Sequence, residues 1–132
     1  MGTRFFKVVQ NAIIQNVKRE VLLLKHHKGK WVLPGGEIED QETWQRALRR
    51  EIEEEVGILN FQIKEIVFVS NRQKDGKSVY VVTFKVEAPI INKITLSKEH
   101  TQYAWVGLSE IDNYEFWYED VPESIKSSLK TS

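Results

Sequence analysis

The stretch GEIEDQETWQRALRREIEEEVGI, residues 36–58 of the 132-residue chain, decides the fold. Its apolar residues between positions 43 and 56 recur at spacings of three and four, which predicts an amphipathic helix with one apolar stripe. The stripe consists of Trp44, Ala47, Leu48, Ile52 and Val56. Gly57 follows at the position where glycine commonly ends a helix, because glycine tolerates the left-handed backbone conformation found there.

Three glutamates share another side of this predicted helix. Glu54 and Glu55 follow Glu51 by three and four residues, so the three carboxylates converge on one patch. Like charges at this spacing repel, at a cost of roughly a few tenths of a kcal/mol per pair. A hard divalent cation such as magnesium prefers oxygen ligands and would relieve that repulsion. The patch is therefore a candidate metal site.

An acidic helix face can also be merely solvated, with Arg46 and Arg50 neutralising the glutamates. That interpretation leaves the preceding loop of Pro34, Gly35 and Gly36 unexplained. Glycines in such a loop let backbone groups approach a site closely. The loop and the helix together favour a functional site over a solvated face.

Composition limits the class of protein. A chain of 132 residues suits one domain spanning residues 1–132, and 41% hydrophobic with 29% charged residues is typical of a globular fold. The 19 basic and 19 acidic residues cancel, which disfavours nucleic acid as a partner. The absence of cysteine excludes disulfides, and no apolar run is long enough for a signal peptide or a membrane span. We therefore expect a cytoplasmic protein that does not enter a membrane.

Apolar and alternating runs outside the decisive stretch predict strands. They cover residues 5–14, 21–25, 31–33, 61–70, 78–87 and 103–108, with a short edge strand at 93–96. Asp75 and Gly76 predict the turn before the run at 78–87, in which Tyr80 and Phe84 are expected to face the core. A closing helix is predicted at 121–129. Strands interspersed with two helices imply an α/β or α+β layered domain with a mixed sheet.

The segment 36–58 resembles the Nudix box, G-x5-E-x7-R-E-U-x-E-E-x-G-U, in which U is apolar. The fixed positions are occupied by Gly36, Glu42, Arg50, Glu51, Ile52, Glu54, Glu55, Gly57 and Ile58. A pattern with this many specified positions has a low risk of matching by chance. The flanking residues 31–35 and 99–111 are also similar to the family, so the resemblance covers nearly the whole chain.

The resemblance implies a Nudix-type α/β/α sandwich around a mixed β-sheet and a role for each residue of the box. Glu51 and Glu55 would be the principal ligands of Mg²⁺ or Mn²⁺. Glu54 would lie close to the metal, and the Gly35 carbonyl could complete the coordination sphere. Arg50 would hold the glutamates in orientation by charged hydrogen bonds.

The chemistry implied is hydrolysis of a phosphoanhydride bond in a small nucleotide substrate. Metal ions neutralise the phosphate oxygens and lower the pKa of the attacking water, and a carboxylate removes its proton. Family members differ in which glutamate acts as this base. The candidates in this sequence are Glu51, Glu54 and Glu99, and a solvated loop residue is the alternative interpretation of Glu99.

Contacts to the nucleotide are less clearly marked in the sequence. Trp117 belongs to an aromatic cluster in which a nucleobase could stack, although packing explains the cluster as well. Lys30 lies in a basic loop that could meet phosphates, and a solvated loop is the competing interpretation. His100 is interpreted as structural and not as a base.

The substrate class follows mainly from missing signatures. Gln73 stands where ADP-ribose pyrophosphatases often carry proline, and residues 74–76 lack the tyrosine of many diadenosine polyphosphate hydrolases. The remaining resemblance is to MutT-like nucleoside triphosphate pyrophosphohydrolases. A catalytically inactive nucleotide-binding Nudix domain and a pyrophosphohydrolase for RNA 5′ ends or dinucleoside polyphosphates are the alternatives, and a homodimer is left open.

Overall fold

The structure is a computed structural model that describes residues 6–91 and 93–130. Its strands are β1 (Lys7–Gln15), β2 (Val21–His26), β3 (Trp31–Val32), β4 (Gly35–Glu37), β5 (Gln62–Lys74), β6 (Lys77–Glu87) and β7 (His100–Val106). Its α-helices are α1 (Trp44–Val56) and α2 (Asp120–Lys130), and a 3-10 helix spans Leu108–Asn113. Residue 5, where the sequence predicts the first strand to begin, lies outside the described residues.

The strands form one mixed sheet in the order β3-β2-β1-β6-β5, with β4 paired to β1 and β7 paired to β2. β1 and β6 run parallel over nine residue pairs, from Lys7 opposite Val79 to Gln15 opposite Glu87. The other pairings are antiparallel. The mixed sheet predicted from the sequence is therefore confirmed.

The helices cover opposite faces of this sheet, because successive residues of a strand point to opposite sides. In β2, Leu22 and Leu24 pack in one buried cluster with residues of α1. The intervening Leu23 packs in a second cluster with residues of α2, among them Val121 and Ile125. The predicted α/β/α sandwich is confirmed.

α1 begins and ends where the sequence predicts. The Thr43 hydroxyl accepts a hydrogen bond from the Arg46 amide at 3.2 Å, which satisfies one of the unpaired donors of the first turn. Gly57 ends the helix with φ 73°. Trp44 is the exception within the apolar stripe: it is 42% exposed, and its ring stacks on Phe84 with ring centroids 4.9 Å apart.

The edge strand predicted at 93–96 is wrong. The amides of Thr95 and Ser97 donate to the carbonyls of Val56 (2.9 Å) and Glu55 (3.2 Å). This segment therefore satisfies carbonyl groups at the end of α1, which lack partners within the helix. An apolar run in the sequence cannot show whether the backbone amides of the segment will bind a helix end or a neighbouring strand.

Tyr80 does not share the buried environment of Phe84. Tyr80 is 44% exposed, and its ring meets Phe6 edge-on at 5.4 Å, whereas Phe84 is buried beneath α1 and Trp44. Alternation along β6 places both residues on one face, but the helix covers only part of that face. The expectation that Tyr80 belongs to the core is therefore wrong.

Candidate active site

Arg50 is the centre of the acidic cluster on α1. Its Nε and Nη2 atoms donate to the two carboxylate oxygens of Glu42 at 2.7 and 2.9 Å. Its Nη1 atom donates to Glu51 at 2.9 Å and to Glu54 at 3.4 Å, and it lies 3.8 Å from Glu39. These hydrogen bonds lower the pKa of Glu42, because the guanidinium stabilises the charged carboxylate. One guanidinium thus serves four carboxylates, so the cluster carries a net negative charge.

Glu55 is the buried member of the cluster, only 7% exposed. Its Oε1 accepts a hydrogen bond from the Gly35 amide at 3.0 Å, and its carboxyl group lies close to that of Glu51. The pKa of Glu55 is raised to about 9, mainly by burial and also by the neighbouring Glu51 and Glu99. Burial also raises the pKa of Glu51, although Arg50 opposes this shift. Two carboxyl groups therefore meet in a place where both cannot ionise without an added positive charge.

The segment before α1 can lie close to the carboxylates of Glu51 and Glu55 because residues 35 and 36 are glycines, which have no Cβ atom. A Cβ atom built on Gly36 would lie 2.5 and 2.6 Å from the two carboxylate oxygens of Glu51. A Cβ atom on Gly35 would overlap the carbonyl oxygen of Gln10 and approach Asn11 Oδ1 to 2.7 Å. These residues form β4, a short strand that the sequence analysis did not predict and that pairs with β1.

A cleft of about 210 Å³ opens beside Glu55 and Gly35. Glu99 lies on its wall, in the turn before β7, and the Glu99 carbonyl accepts a hydrogen bond from the His27 amide at 3.1 Å. His100 is buried in the same wall, and its Nε2 atom is 3.7 Å from Glu55 Oε2. Burial lowers the pKa of His100 below 6.5, so the ring is neutral at pH 7 and does not offset the charge of the glutamates.

The donor set fits a hard divalent cation. Such ions take carboxylate and carbonyl oxygens, and Glu51, Glu54 and Glu55 supply carboxylates next to the backbone of Gly35. Among residues 6–91 and 93–130, no three acidic or imidazole side chains already surround one point. Arg50 instead holds Glu51 and Glu54. The raised pKa of Glu55 marks the place where a cation would stabilise the ionised carboxylates.

A second charged cluster lies beside the cleft and is not indicated by any pattern in the sequence. Arg72 donates from Nε and Nη2 to the two carboxylate oxygens of Asp120, both at 2.8 Å, and its guanidinium lies 3.8 Å from the ring centre of Tyr118. Ser70 also donates to Asp120, at 2.9 Å. Arg72 and Tyr118 line the cleft. Arg72 and Asp120 are 48 residues apart, so no local spacing could have indicated this pair.

The two residues suggested as nucleotide contacts lie in different surroundings. Trp117 is 38% exposed, and its ring centroid is 5.3 Å from that of His26, a residue of the cleft wall. Trp117 therefore flanks the cleft. Lys30 lies 3.7 Å from Glu115 and is not among the residues that line the cleft.

None of the helices in the described part of the chain has the length and apolar character needed to cross a membrane. This observation agrees with the sequence, which contains no apolar run of that length.

Comparison with known proteins identifies the family. The NUDIX domain family model matches residues 6–126. The nucleoside triphosphatase NudI of Klebsiella pneumoniae (strain 342) is 31% identical over 97 residues, which cover 66% of this chain and 68% of that protein. The Nudix hydrolase YvcI of Bacillus subtilis (strain 168) is 29% identical over 116 residues, 83% of this chain and 71% of that protein.

Solved structures agree with the sequence relatives. The MutT protein from Methanosarcina mazei Go1 superposes with a TM-score of 0.84 at 28% identity, covering 96% of this chain and 94% of that one. A C. elegans Ap4A hydrolase superposes with a TM-score of 0.83 at 20% identity, covering 95% and 96% of the two chains, and at that identity it shows the shared fold alone. The chain therefore belongs to the Nudix family and is a MutT-like Nudix hydrolase, a pyrophosphohydrolase that acts on acid anhydrides.

Proposed function

We propose that this enzyme is a Mg²⁺- or Mn²⁺-dependent pyrophosphohydrolase that converts a nucleoside triphosphate to a monophosphate and pyrophosphate. The observation that carries the proposal is the excess of carboxylates over the single guanidinium of Arg50, two of them largely buried, beside a glycine-walled cleft. Such an excess is unfavourable unless a cation joins it. The nucleoside triphosphatase activity in the name of the Klebsiella pneumoniae relative supports the choice of a triphosphate.

Glu51 and Glu55 are the proposed principal metal ligands, with Glu54 and the Gly35 carbonyl close to the ion. The bound ion would neutralise phosphate oxygens and make water a better nucleophile at neutral pH. The Gly35 amide keeps Glu55 Oε1 in place through its 3.0 Å hydrogen bond. Arg50 orients Glu51 and Glu54 through its Nη1 atom.

Glu99 is the proposed general base. It lines the cleft that contains Glu55, and the hydrogen bond from the His27 amide holds its backbone there. An exposed carboxylate at the cleft wall can accept a proton from water without disturbing the metal ligands. Glu51 and Glu54 are already engaged by Arg50, which makes them weaker candidates for this role.

The nucleoside would lie toward Trp117, because this half-exposed indole flanks the cleft on the side of His26. Lys30 is a poorer candidate for a phosphate contact, since its ammonium group pairs with Glu115 and does not line the cleft. A cytoplasmic location remains a prediction from the sequence, and the oligomeric state is left open.

A panel assay tests the proposal. The purified enzyme is incubated with the eight common nucleoside triphosphates and deoxynucleoside triphosphates, diadenosine tetraphosphate, ADP-ribose and 5′-triphosphorylated RNA, with Mg²⁺, with Mn²⁺ or with excess chelator. We expect monophosphate and pyrophosphate from at least one triphosphate, and no turnover in chelator. Preferential cleavage of the dinucleotide or the RNA would replace the proposed substrate class, and turnover in chelator would refute the metal dependence.

A further inference from the structure

A second cavity lies away from the catalytic cleft, at the carboxyl ends of the parallel strands β1 and β6. Its volume is about 720 Å³, against about 210 Å³ for the cleft. Small-molecule sites typically occupy roughly 300–1,000 Å³, and the carboxyl ends of parallel strands are frequent places for them. Among the described residues, none lines both cavities. We call this space the β1–β6 cavity.

The wall of the β1–β6 cavity carries three large apolar side chains that are strongly exposed to water. Val17, Leu59 and Ile90 are 75%, 67% and 66% exposed, the highest values among the large apolar side chains that the structure describes. All three line this one cavity, although they come from three different loops. Single exposed apolar residues are common on proteins, whereas a group gathered around a concavity marks a binding surface.

The charge of the same wall is positive. Arg19, Arg49 and Lys85 line the cavity together with one acidic residue, Glu87. Glu87 pairs at 3.8 Å with Lys64, which lies outside the lining. Within residues 6–91 and 93–130, Arg49 and Lys85 have no ion-pair partner. The cavity therefore combines an apolar wall with cations suited to an anionic group.

Two further side chains indicate where the anionic group would bind. The guanidinium of Arg49 lies over the ring of Phe61, 4.8 Å from its centre, so it is positioned at the cavity wall. Gln15 is 7% exposed and lines the cavity, and its Nε2 donor is buried without a hydrogen-bond partner among the described residues. A buried donor without an acceptor is unfavourable. A rotation of this amide toward the cavity would let a ligand oxygen act as the acceptor.

We propose that the β1–β6 cavity binds a small amphipathic anion, an aliphatic or aromatic body that carries one carboxylate, sulfonate or phosphate monoester. The apolar body packs against Val17, Leu59 and Ile90, and the anionic group faces Arg49 and Lys85. A nucleoside triphosphate fits less well, because its charge exceeds what these cations neutralise. The inference does not depend on the proposed catalysis, since the two cavities share no lining residue.

Binding of 8-anilinonaphthalene-1-sulfonate, followed by fluorescence, tests the proposal on the full chain. We expect saturable binding that octanoate displaces and that octylamine, with the same alkyl chain and the opposite charge, does not. In a ¹⁵N-labelled sample, octanoate should shift the side-chain amide resonances of Gln15. Competition by phenyl phosphate and by octanoate distinguishes a phosphate ligand from a carboxylate ligand.

Matched variants locate the site. Ile90→Asp and Arg49→Ser should weaken binding of the sulfonate probe by about tenfold or more, because each removes one of the two proposed contacts. Ile66→Asp changes an exposed isoleucine outside the cavity, and Arg46→Ser changes an exposed arginine on the same helix as Arg49. These controls should bind within about twofold of the parent, and all four variants should hydrolyse nucleotides at the parent rate.

Several results would overturn the proposal. They are non-saturable probe binding, equal displacement by octylamine, loss of binding in Ile66→Asp equal to that in Ile90→Asp, and displacement by a non-hydrolysable triphosphate at its catalytic-site affinity. The last result would place the probe in the catalytic cleft. If Ile90→Asp does not unfold cooperatively, Arg49→Ser against Arg46→Ser decides the outcome.

Discussion

Arg50 and Arg72 each bind one carboxylate through two nitrogen atoms, but the side chains around the two guanidinium groups differ. Each guanidinium binds one carboxylate through Nε and Nη2, Arg50 to Glu42 at 2.7 and 2.9 Å and Arg72 to Asp120 at 2.8 and 2.8 Å. The guanidinium of Arg72 lies over an aromatic ring. The one carboxylate that it binds also accepts a hydrogen bond from a hydroxyl group. The Arg72 cluster is therefore balanced in charge.

The Arg50 cluster is not balanced. Glu51, Glu54 and Glu39 compete for the same guanidinium, and Glu55 lies buried behind Glu51. Removing one partner of a balanced, largely buried pair leaves an unpaired charge and destabilises the native state, whereas an unbalanced acidic cluster requires a further cation. The difference distinguishes a structural ion pair from the proposed metal-binding cluster without reference to motifs.

The largest expected effect follows from replacing the buried carboxylate of the unbalanced cluster. Glu55→Gln should lower turnover by about two or more powers of ten with the fold intact, because it removes a proposed metal ligand at the site of charge neutralisation. Glu53→Gln, on the same helix and exposed, is the control and should keep the parent rate. Steady-state hydrolysis and thermal unfolding measure both. A fully active Glu55→Gln enzyme would contradict the proposed site.

Breaking the ion pair of the balanced Arg72 cluster should lower the stability of the protein. Asp120→Ala should lower the free energy of unfolding by about 2 kcal/mol, because it leaves a half-buried guanidinium without its charged acceptor. Chemical denaturation measures this change. Asp112→Ala provides the control, since Asp112 is exposed and its ion pair with Lys126 contributes little. Equal stability of the Asp120 and Asp112 variants would remove the distinction drawn between the clusters.

Replacing Glu99 tests which glutamate acts as the general base. Glu99→Gln should lower kcat by more than about tenfold while the affinities for substrate and metal change little, because its work is confined to the transition state. Glu110→Gln, another exposed acid, should have no effect. The measurement is made at saturating Mg²⁺ on the best substrate of the panel. A kinetically silent Glu99→Gln would return the role of base to Glu51 or Glu54.

Magnesium should stabilise the unbalanced cluster specifically. Adding Mg²⁺ should raise the melting temperature by a few degrees, because the ion binds the native state and relieves repulsion among Glu51, Glu54 and Glu55. Sodium chloride at matched ionic strength should raise the melting temperature less. In Glu55→Gln, most of the difference between the two salts should disappear. Equal shifts from Mg²⁺ and Na⁺ would favour a merely solvated helix face.

A further expected effect is on the pH dependence of the metal-free protein. The pKa of Glu55 is raised from 4.5 to about 9 by burial, so the native state retains a proton that the unfolded chain loses above pH 4.5. The stability that this retained proton contributes to the native state is fully present below pH 4.5 and is lost as the pH rises toward 9. The melting temperature measured in chelator from pH 6 to pH 9 should therefore fall, and less so in Glu55→Gln. A flat profile for both proteins would show that Glu55 ionises freely in the native state.

Much of α1 could be predicted because its determinants are local. The apolar stripe, the Thr43 cap, the ending at Gly57 and the convergence of Glu51 with Glu55 all depend on helical spacings of three and four. Such contacts are determined by neighbours along the chain and need no knowledge of the sheet. The resemblance to the family rests on the same residues, which is why the fold class was also predictable.

The tertiary structure decided the features that join distant segments. The sequence pattern predicted an edge strand at 93–96, but the amides of Thr95 and Ser97 bind carbonyls at the end of α1. Packing also brought Arg72 to Asp120 and placed His100 next to Glu55. The physical reason is that one residue pattern is compatible with several long-range partners. Competition among those partners for hydrogen bonds and buried volume is resolved only when the whole sheet and both helices have packed.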